Sequence, residues 1–406
     1  MPSNSQFEIL APLPAPLSHS QCVAHKDEIL ICGGYWNNEC YSYHTIKNEY
    51  KRICSYPSGI KLRGHCVVKR VNSSDPNDIT LLSFGGIKKH TLAMKYVSVW
   101  DDVRNEDDKT KTELSNQWLP FTDNAGKAVS IGVFQDDHEG ARALLGGSNN
   151  HLLFITYPPN NIDVFDLSIF QYINCTTLLV GCNIMLHCFV ASTESRTETS
   201  KGNNKKHKMW LFCQNTGMSI VYDEDRNTFT LDKLRVCSTM RSFNRYAYVC
   251  ANDTILFFGG WNAETVLQAS HRYSTKGTHW MKFEQPIANP PRYSVAVLNA
   301  DHTYVHIIGG FDGRSVVTTH FKIKVDRLIH EQTEAEKKWM LREEQNKLME
   351  EIEDEKKVIK RMKTETNSID DDWNLKKLPV KDISIPRNCN DNTTLVSIDG
   401  FEDGMD

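Results

Sequence analysis

The sequence predicts an all-β fold, a six-bladed β-propeller closed by the N-terminal strand and followed by a charged helix and an acidic tail. Three observations predict it. Short apolar runs end in a Gly pair at intervals of about fifty-five residues. Each interval holds short β-type runs separated by turn residues. The last interval lacks its fourth run, and the first residues of the chain supply one.

The Gly pairs set the length of the repeat. They end runs such as ILICGG and VHIIGG, at Gly33-Gly34, Gly85-Gly86, Gly146-Gly147, Gly259-Gly260 and Gly309-Gly310. Their first glycines are 52, 61, 113 and 50 residues apart. The long gap predicts a degenerate copy near its middle, where MWLFCQN places Gln214-Asn215 at the position of a Gly pair. The chain therefore contains six repeats, of which the segment 175–232 departs furthest from the pattern.

Within a repeat, four runs alternate with turns. An apolar strand such as HCVVKRV precedes the strand that ends in the Gly pair, a third strand carries an aromatic residue, and a fourth begins near Trp or Phe. Repeated four-stranded units of this kind are typical of propeller blades. A glycine suits a strand end near the crowded axis, where a Cβ atom would clash or the backbone needs a positive φ.

The ends of the repeat region predict how the ring closes. The last repeat stops after TTHFKIKV without a fourth strand. Residues 7–10 (FEIL), followed by a Pro-rich stretch, resemble WMKFEQP around Trp280, which takes the fourth position of the preceding repeat. The N-terminal strand is therefore expected to complete the last blade and to remove a free sheet edge.

The Gly pairs with aromatic residues at set offsets resemble the kelch repeat over residues 7–326. The resemblance implies a propeller that binds partner peptides on the face with short loops, through arginines at the start of the blades. Some kelch propellers are enzymes, so the alternative function is an enzyme similar to galactose oxidase, with a metal site in the axial mouth. No catalytic residues, metal ligands or cofactor motif stand out, and we expect a protein that is not an enzyme. In the densest Cys/His group, at 175–188, His187 and Cys188 point to opposite faces of a strand.

Two further segments follow the repeats. Residues 327–363 contain no Gly or Pro and carry ten acidic and ten basic residues, which favours a charged helix. An apolar stripe along it comprises Leu341, Leu348, Ile352, Ile359 and Met362. Both a short coiled coil, which would give a homodimer, and a solvated single helix fit this stripe. Residues 364–406, with ten acidic and four basic residues, are expected to form a disordered acidic tail.

Composition argues against several classes of protein. A net charge of -4 is not that of a general nucleic-acid binder. The most apolar stretch, 178–190, is too short to span a membrane. The first residues lack the pattern of a secretory signal, so we expect a cytoplasmic protein with its twelve cysteines reduced.

Strand alternation divides the loops between two faces. Four polar insertions, at 72–78, 101–117, 136–140 and 193–208, are assigned to the face with the loops between first and second and between third and fourth strands. This is termed the insertion face. The opposite face, termed the short-loop face, holds the loops after the Gly pairs and the links between blades.

The short-loop face carries the candidate binding residues. Arg63, Arg245 and Arg292 each precede a first strand at one common position, and Lys127 is assigned to the equivalent place. The loops after the Gly pairs add Tyr35, Trp36, Lys88, Trp261, Phe311 and Arg314. Trp, Tyr and Arg are enriched in binding hot spots, and bases around one mouth favour an acidic ligand. The sequence therefore predicts a protein-interaction module, a scaffold or adaptor, that binds an acidic peptide segment on this face.

Overall fold

The computed structural model describes residues 7–72, 75–101, 115–132, 138–192, 205–262, 264–267, 269–284, 291–329, 332–367 and 385–386. It confirms six antiparallel blades of four strands arranged in a ring. The first strand of each blade contacts the first strands of its neighbours, so the first strands line the axis and the fourth strands lie outside.

The strands are numbered in chain order. The chain starts with β1 (Glu8–Ile9). Blade 1 consists of β2 (Gln21–His25), β3 (Glu28–Gly34), β4 (Asn37–His44) and β5 (Glu49–Ser55). Blade 2 consists of β6 (His65–Val71), β7 (Ile79–Gly85), β8 (His90–Tyr96) and β9 (Leu119–Pro120). Blade 3 consists of β10 (Arg142–Gly146), β11 (Leu152–Tyr157), β12 (Asn161–Asp166) and β13 (Gln171–Thr177).

The second half of the ring has the same design. Blade 4 consists of β14 (Cys188–Ala191), β15 (Lys206–Cys213), β16 (Thr216–Asp223) and β17 (Thr228–Leu234). Blade 5 consists of β18 (Ala247–Ala251), β19 (Thr254–Phe258), β20 (Ser270–Ser274) and β21 (His279–Lys282). Blade 6 contains β22 (Val295–Leu298), β23 (Tyr304–Ile308) and β24 (His320–Lys324). The segment that departs furthest from the repeat pattern thus contains a complete blade 4, and Gln214-Asn215 follows its second strand as predicted.

Strand β1 supplies the fourth strand of blade 6, which confirms the predicted closure. It pairs antiparallel with β24, with Glu8 opposite Lys322 and Ile9 opposite Phe321. The side chains of Glu8 and Lys322 also form an ion pair at 3.2 Å. The ring is therefore closed by strands from the two ends of the propeller.

Apolar side chains fill the spaces between neighbouring blades. One cluster joins blades 1 and 2 through fully buried Leu30 and Leu81, with Tyr96 and Trp118 beside them. Burial of apolar area is the main favourable contribution to folding, at roughly 25 cal/mol per Å². Stability thus resides in the contacts between blades, which makes a complete ring important.

Two glycines show why the Gly pairs recur. Gly309 has φ of +60°, and a Cβ atom there would lie 2.3 Å from the carbonyl oxygen of Leu17. A Cβ atom on Gly34 would lie 2.8 Å from the carbonyl oxygen of Ser18. The segment that leads into blade 1 thus passes between the Gly pairs of two neighbouring blades, and a side chain at either would displace it.

Blade 3 corrects one predicted repeat. Gly146 ends the first strand rather than the second, so Gly146-Gly147 lies in the turn between β10 and β11. The position of a Gly pair after β11 is taken by Pro158-Pro159. The prediction was wrong because a tight turn between two strands favours glycine as strongly as the strand end near the axis does.

The same correction moves one insertion. Residues 136–140 precede the first strand of blade 3, so they belong to a link between blades on the short-loop face, and their assignment to the insertion face was wrong. In chain order, the other three insertions come between a first and a second strand or between a third and a fourth strand, as predicted, although 206–208 begin β15. Most residues of 101–117 and 193–208 lie outside the described residues.

Two helices follow the propeller. Helix α1 (Val325–Ile329) continues from β24, and helix α2 (Glu334–Asn367) lies against β21 on the outside of blade 5. A two-residue strand, β25 (Ile385–Pro386), pairs with β13 and gives blade 3 a fifth strand. Most of the predicted acidic tail lies outside the described residues.

Two sequence expectations concern membrane spans and the redox state of the cysteines. No helix of the described residues has an apolar stretch long enough to cross a membrane. Ten described cysteines are free thiols. The expectation of reduced cysteines is wrong for Cys175, which is disulfide-bonded and lies on β13 beside the residues that pair with β25.

Candidate partner-binding face

Six residues with positive φ surround the axis on the short-loop face, one before the first strand of each blade. These residues, termed the axial ring, are His19, Gly64, Gly140, Leu186, Arg245 and Tyr293. Backbone hydrogen bonds join members from neighbouring blades: the amide of His19 donates to the carbonyl of Tyr293 at 3.0 Å, and that of Leu186 to Gly140 at 3.0 Å. Gly140 donates likewise to Gly64, and Tyr293 to Arg245. The ring gives the mouth of the propeller a rigid backbone frame.

The axial ring corrects the register of the candidate arginines. Arg245 is itself a ring member, whereas Arg63 and Arg292 each come one residue before the ring member of their blade. The prediction that the three share one position was therefore wrong for Arg245. The sequence motif hides this shift, because blade 5 has one residue fewer between its arginine and its first strand than blade 6 has.

Trp261 and Phe311 occupy equivalent positions after the Gly pairs of blades 5 and 6. The backbone of Trp261 exchanges two hydrogen bonds with Asn244, and the backbone of Phe311 exchanges two with Arg292. Both aromatic residues are half-buried. The two side chains are thus anchored by backbone pairing at the mouth.

Two guanidinium groups stack on these aromatic rings. The guanidinium carbon of Arg245 lies 4.7 Å from the ring centre of Trp261, and that of Arg292 lies 4.5 Å from it. Arg292 also lies 4.6 Å from the ring centre of Phe311. This set of Arg245, Trp261, Arg292 and Phe311 is termed the arginine stack. Cation–π contacts of this type hold a guanidinium in place without neutralising its charge.

The arginine stack retains hydrogen-bonding capacity. Arg245 donates from Nη1 to the hydroxyl of Tyr293 at 2.6 Å. The Nε atoms of Arg245 and Arg292 are buried and have no hydrogen-bond partner among the described residues. A buried donor without a partner is unfavourable. A ligand acceptor that bonds such a donor therefore gains more binding free energy than one that bonds a donor already hydrated by water.

Arg63 differs from the other two arginines. Its Nε lies 2.6 Å from a carboxylate oxygen of Glu139, and its guanidinium stands 5.7 Å from the ring centre of Tyr35. Glu139 precedes the ring member of blade 3, as Arg63 does in blade 2. The charge of Arg63 is therefore compensated within the chain.

The remaining predicted residues lie at the edge of this face. Trp36 is 78% exposed and its ring is 5.0 Å from that of Tyr35. Lys88 and Arg314 are exposed in loops that follow Gly pairs. Lys127 lies in a turn closed by Asp123, far from the start of blade 3, so its assignment to the position of the arginines was wrong.

A small axial cavity lies beneath the ring, and sequence reasoning missed it. Its volume is about 160 Å³, and its lining includes His19, Ser20, Arg142, Arg245 and Tyr293. The imidazole of His19 stacks on the ring of Tyr293 at 4.0 Å. Burial, with smaller contributions from the cations of Arg142, Arg63 and Arg245, lowers the pKa of His19 to about 3. His19 is therefore a neutral ring at physiological pH.

A second pair of arginines holds helix α2 against the propeller. Arg235 donates to Glu343 at 2.7 Å and to Glu350 at 2.8 Å, and Arg241 donates to Glu350 at 2.5 Å. Hydrogen bonds from Arg235 and Arg241 lower the pKa of Glu350 to about 2 although partial burial opposes the shift. These four residues are termed the helix clamp. The sequence predicted the helix but not the face by which it docks.

The apolar stripe of α2 lies away from the propeller. Leu341 is 68% exposed and Leu348 is 51% exposed, and Ile352 and Ile359 are exposed as well. The side chain of Met362 lies outside the described residues. Docking uses the opposite side of the helix, with buried Glu336 and Glu343 and half-buried Trp339.

The described histidines, cysteines and carboxylates do not form a metal site. Within the parts of the chain that the structure describes, no three His, Cys, Asp or Glu side chains come together as a metal site. The Cys/His group at 175–188 is divided between a disulfide at Cys175 and a buried His187 that hydrogen-bonds Thr156 at 2.7 Å.

The chain is a six-bladed β-propeller with a docked helix, an architecture suited to scaffolding or binding. No protein-family model matches the chain, and neither does any curated protein. A solved structure titled "Structure of YjhT" is similar, with a TM-score of 0.52 and 16% identity over 78% of this chain and 97% of that one. At this identity the likeness establishes the propeller fold alone.

Proposed function

We propose that this protein is a kelch-type interaction module whose axial mouth binds an acidic segment of a partner protein. The observation that carries the proposal is the arginine stack, in which two guanidinium groups share one indole ring. Neither Arg245 nor Arg292 pairs with a carboxylate of the described residues, and each keeps a buried Nε donor without a partner. A carboxylate ligand would satisfy both the charge and the donors.

The geometry favours a carboxylate over a neutral ligand. A guanidinium offers parallel N–H donors that match the two oxygens of a carboxylate, and such charge-assisted bonds are stronger than neutral ones. Aromatic contacts already fix the side chains of Arg245 and Arg292, so less rotamer entropy is lost on binding. Exposed Trp36 and half-buried Tyr35, on the far side of His19, extend the surface for the rest of the segment.

The experiment measures binding of short fluorescent peptides of graded net charge to the full chain by polarisation. Acidic peptides should bind and basic ones should not. Removing a well-seated arginine should weaken binding by about 2 kcal/mol, roughly thirtyfold, so Arg245→Ala and Arg292→Ala should each show this loss. Arg226→Ala, an exposed arginine in the turn after β16 on the insertion face, is the matched control and should bind normally.

Two results would contradict the proposal. One is equal binding of acidic and basic peptides by the wild-type chain. The other is undiminished binding of acidic peptides by the Arg245→Ala, Arg292→Ala double variant while Arg226→Ala loses it, which would place the site on the insertion face.

We also propose self-association through α2, supported by the exposed stripe of Leu341, Leu348, Ile352 and Ile359. A second copy of the helix could cover this stripe in a two-stranded seam. Sedimentation velocity of the full chain should show a dimer, and Leu348→Glu with Ile352→Glu should give a monomer. A wild-type monomer at protein concentrations on the order of tens of micromolar would leave α2 as a solvated helix.

A further inference from the structure

The axial cavity has the features of a second binding site, which shares Arg245 with the arginine stack. It lies where the axial ring meets the first residues of the inner strands, and its volume is about 160 Å³. A water molecule occupies about 30 Å³ of liquid, so the space holds a carboxylate group together with one or two methylenes. Its walls include Ala247, Val295 and Ala296, which suit an aliphatic stem.

Three side chains that carry hydrogen-bond donors line this cavity, and each belongs to a different blade. Arg142, the first residue of β10 in blade 3, donates from Nη1 to the carbonyl of Ala141 at 3.0 Å, which leaves most of its guanidinium for another acceptor. Arg245 of blade 5 has a buried Nε without a hydrogen-bond partner among the described residues. Ser20 of blade 1 is 5% exposed, and its hydroxyl has no partner among the described residues.

The same lining has positive charge without a negative side chain. Among the described residues that line the cavity there are two arginines but no Asp or Glu. His19 does not add a proton, because burial and then the charges of Arg142, Arg63 and Arg245 lower its pKa. Two cations close to the axis without an anion are unfavourable, and a bound anion would relieve their repulsion.

We propose that the axial cavity is a binding site for a single carboxylate, which Arg142, Arg245 and the hydroxyl of Ser20 hold by hydrogen bonds. This inference deepens the proposed function and rests on it for the source of the ligand: the carboxylate belongs to an Asp or Glu side chain of the acidic segment, which reaches past the arginine stack into the axis. A free small carboxylic acid has the same chemistry, and the experiment separates the two sources.

The small-molecule arm uses propionate as probe on the full chain. Thermal unfolding is followed while propionate replaces chloride at constant ionic strength. A ligand that binds only the folded state raises Tm in a saturable way. The wild type and Arg226→Gln should show this rise, Arg142→Gln should lose it, and Ser20→Ala should need several-fold more propionate. Equal shifts in the wild type and Arg142→Gln would overturn the inference, as would a larger shift with inorganic phosphate than with propionate.

The peptide arm uses the acidic peptides described above, with Arg142→Gln and Arg142→Lys. Arg142→Gln should weaken binding at least tenfold, and Arg142→Lys, which keeps the charge but not the forked donors, should restore part of it. Unchanged peptide binding by Arg142→Gln would exclude the partner segment as the source. Propionate binding without peptide binding would support the cavity as a carboxylate site and reject the proposed function. Should Arg142→Gln fail to fold, Ser20→Ala and saturation-transfer NMR of propionate on the wild type decide the question.

Discussion

The helix clamp and the arginine stack each contain two arginines, yet their surroundings differ. In the clamp, Arg235 and Arg241 meet carboxylates of the chain itself, and Glu343 is buried beneath them. In the stack, Arg245 and Arg292 meet aromatic rings and no carboxylate of the described residues. The contrast suggests a simple criterion. Arginines that pair with carboxylates of the chain stabilise the fold, whereas arginines that stack on aromatic rings keep an uncompensated charge with which to bind a ligand.

The largest expected effect is on the stability of the clamp. Arg235→Ala removes the cation that pairs with the buried carboxylate of Glu343 and leaves that carboxylate only its hydrogen-bond donors, such as Ser238. The free energy of unfolding should therefore fall by about 3 kcal/mol. Arg292→Ala, which leaves no carboxylate behind, should lower it by about 1 kcal/mol or less. Urea denaturation of both variants measures the difference. Removing both Arg235 and Glu343 should cost less than Arg235→Ala alone, and a greater loss in the double variant would contradict the comparison.

The next effect tests whether the rings position the arginines of the stack. Trp261→Leu removes the indole that Arg245 and Arg292 share, while its aliphatic side chain retains part of the packing. Binding of acidic peptides should weaken by about 1 to 2 kcal/mol, roughly tenfold, because each guanidinium regains rotamer freedom. Tyr41→Leu, at an aromatic residue on β4 of blade 1, serves as a control for loss of an aromatic group elsewhere. If Trp261→Leu binds acidic peptides with wild-type affinity, the indole of Trp261 does not position Arg245 and Arg292 for binding.

The axial ring beside the arginine stack and the helix clamp should also respond to acid in different pH ranges. The pKa of His19 in the fold, about 3, lies below that of a free histidine, so its contribution to stability is complete above about pH 6.5 and is lost as the pH falls towards 3. The pKa of Glu350, about 2, lies below that of a free glutamate, so the clamp weakens only as the pH falls from about 4.3 towards 2.

Tm measured against pH separates these contributions. His19→Asn, which tolerates the positive φ of the ring, should flatten the decline between about pH 6.5 and 4. The difference in Tm between the wild type and Glu350→Gln should stay constant down to about pH 5 and disappear towards pH 2. An unaltered slope in His19→Asn would show that other buried histidines account for the decline.

The smallest expected effect comes from converting a compensated arginine into an uncompensated one. Glu139→Gln removes the partner of Arg63 at the mouth. Arg63 is partly exposed, so stability should change by less than about 1 kcal/mol. Affinity for acidic peptides should rise about two- to threefold, with a steeper dependence on salt. Lower affinity in Glu139→Gln would show that Arg63 needs Glu139 to be positioned.

Local patterns in the sequence predicted the blades and the closing strand, because each blade repeats four short strands and four of the six blades have a Gly pair at the end of the second strand. The register of individual residues within a blade was harder to predict from the sequence. Gly146-Gly147 sits in a turn that favours glycine for its own reasons, and this error hid Arg142 as the first residue of an inner strand. Arg245 was misplaced because one missing residue before a strand leaves the surrounding motif intact.

The docking face of α2 was missed for another reason. The sequence prediction for the helix was based on the apolar stripe around Leu348. The propeller instead binds the acidic side of the helix through Arg235 and Arg241. Charge complementarity between segments more than a hundred residues apart leaves no periodic signal in either one. Contacts of this kind appear only when the fold brings the segments together.

Closure by β1 also constrains when the ring can form during synthesis. Ile9 pairs with Phe321, so β1 is synthesised about 310 residues before the strand with which it pairs. At roughly 5–20 residues per second, that interval lasts about a quarter of a minute to a minute. Through this interval the earlier blades exist without a closed ring, and the edge that β1 will cover has not been made. Closure of the ring therefore joins two strands that are synthesised about 310 residues apart.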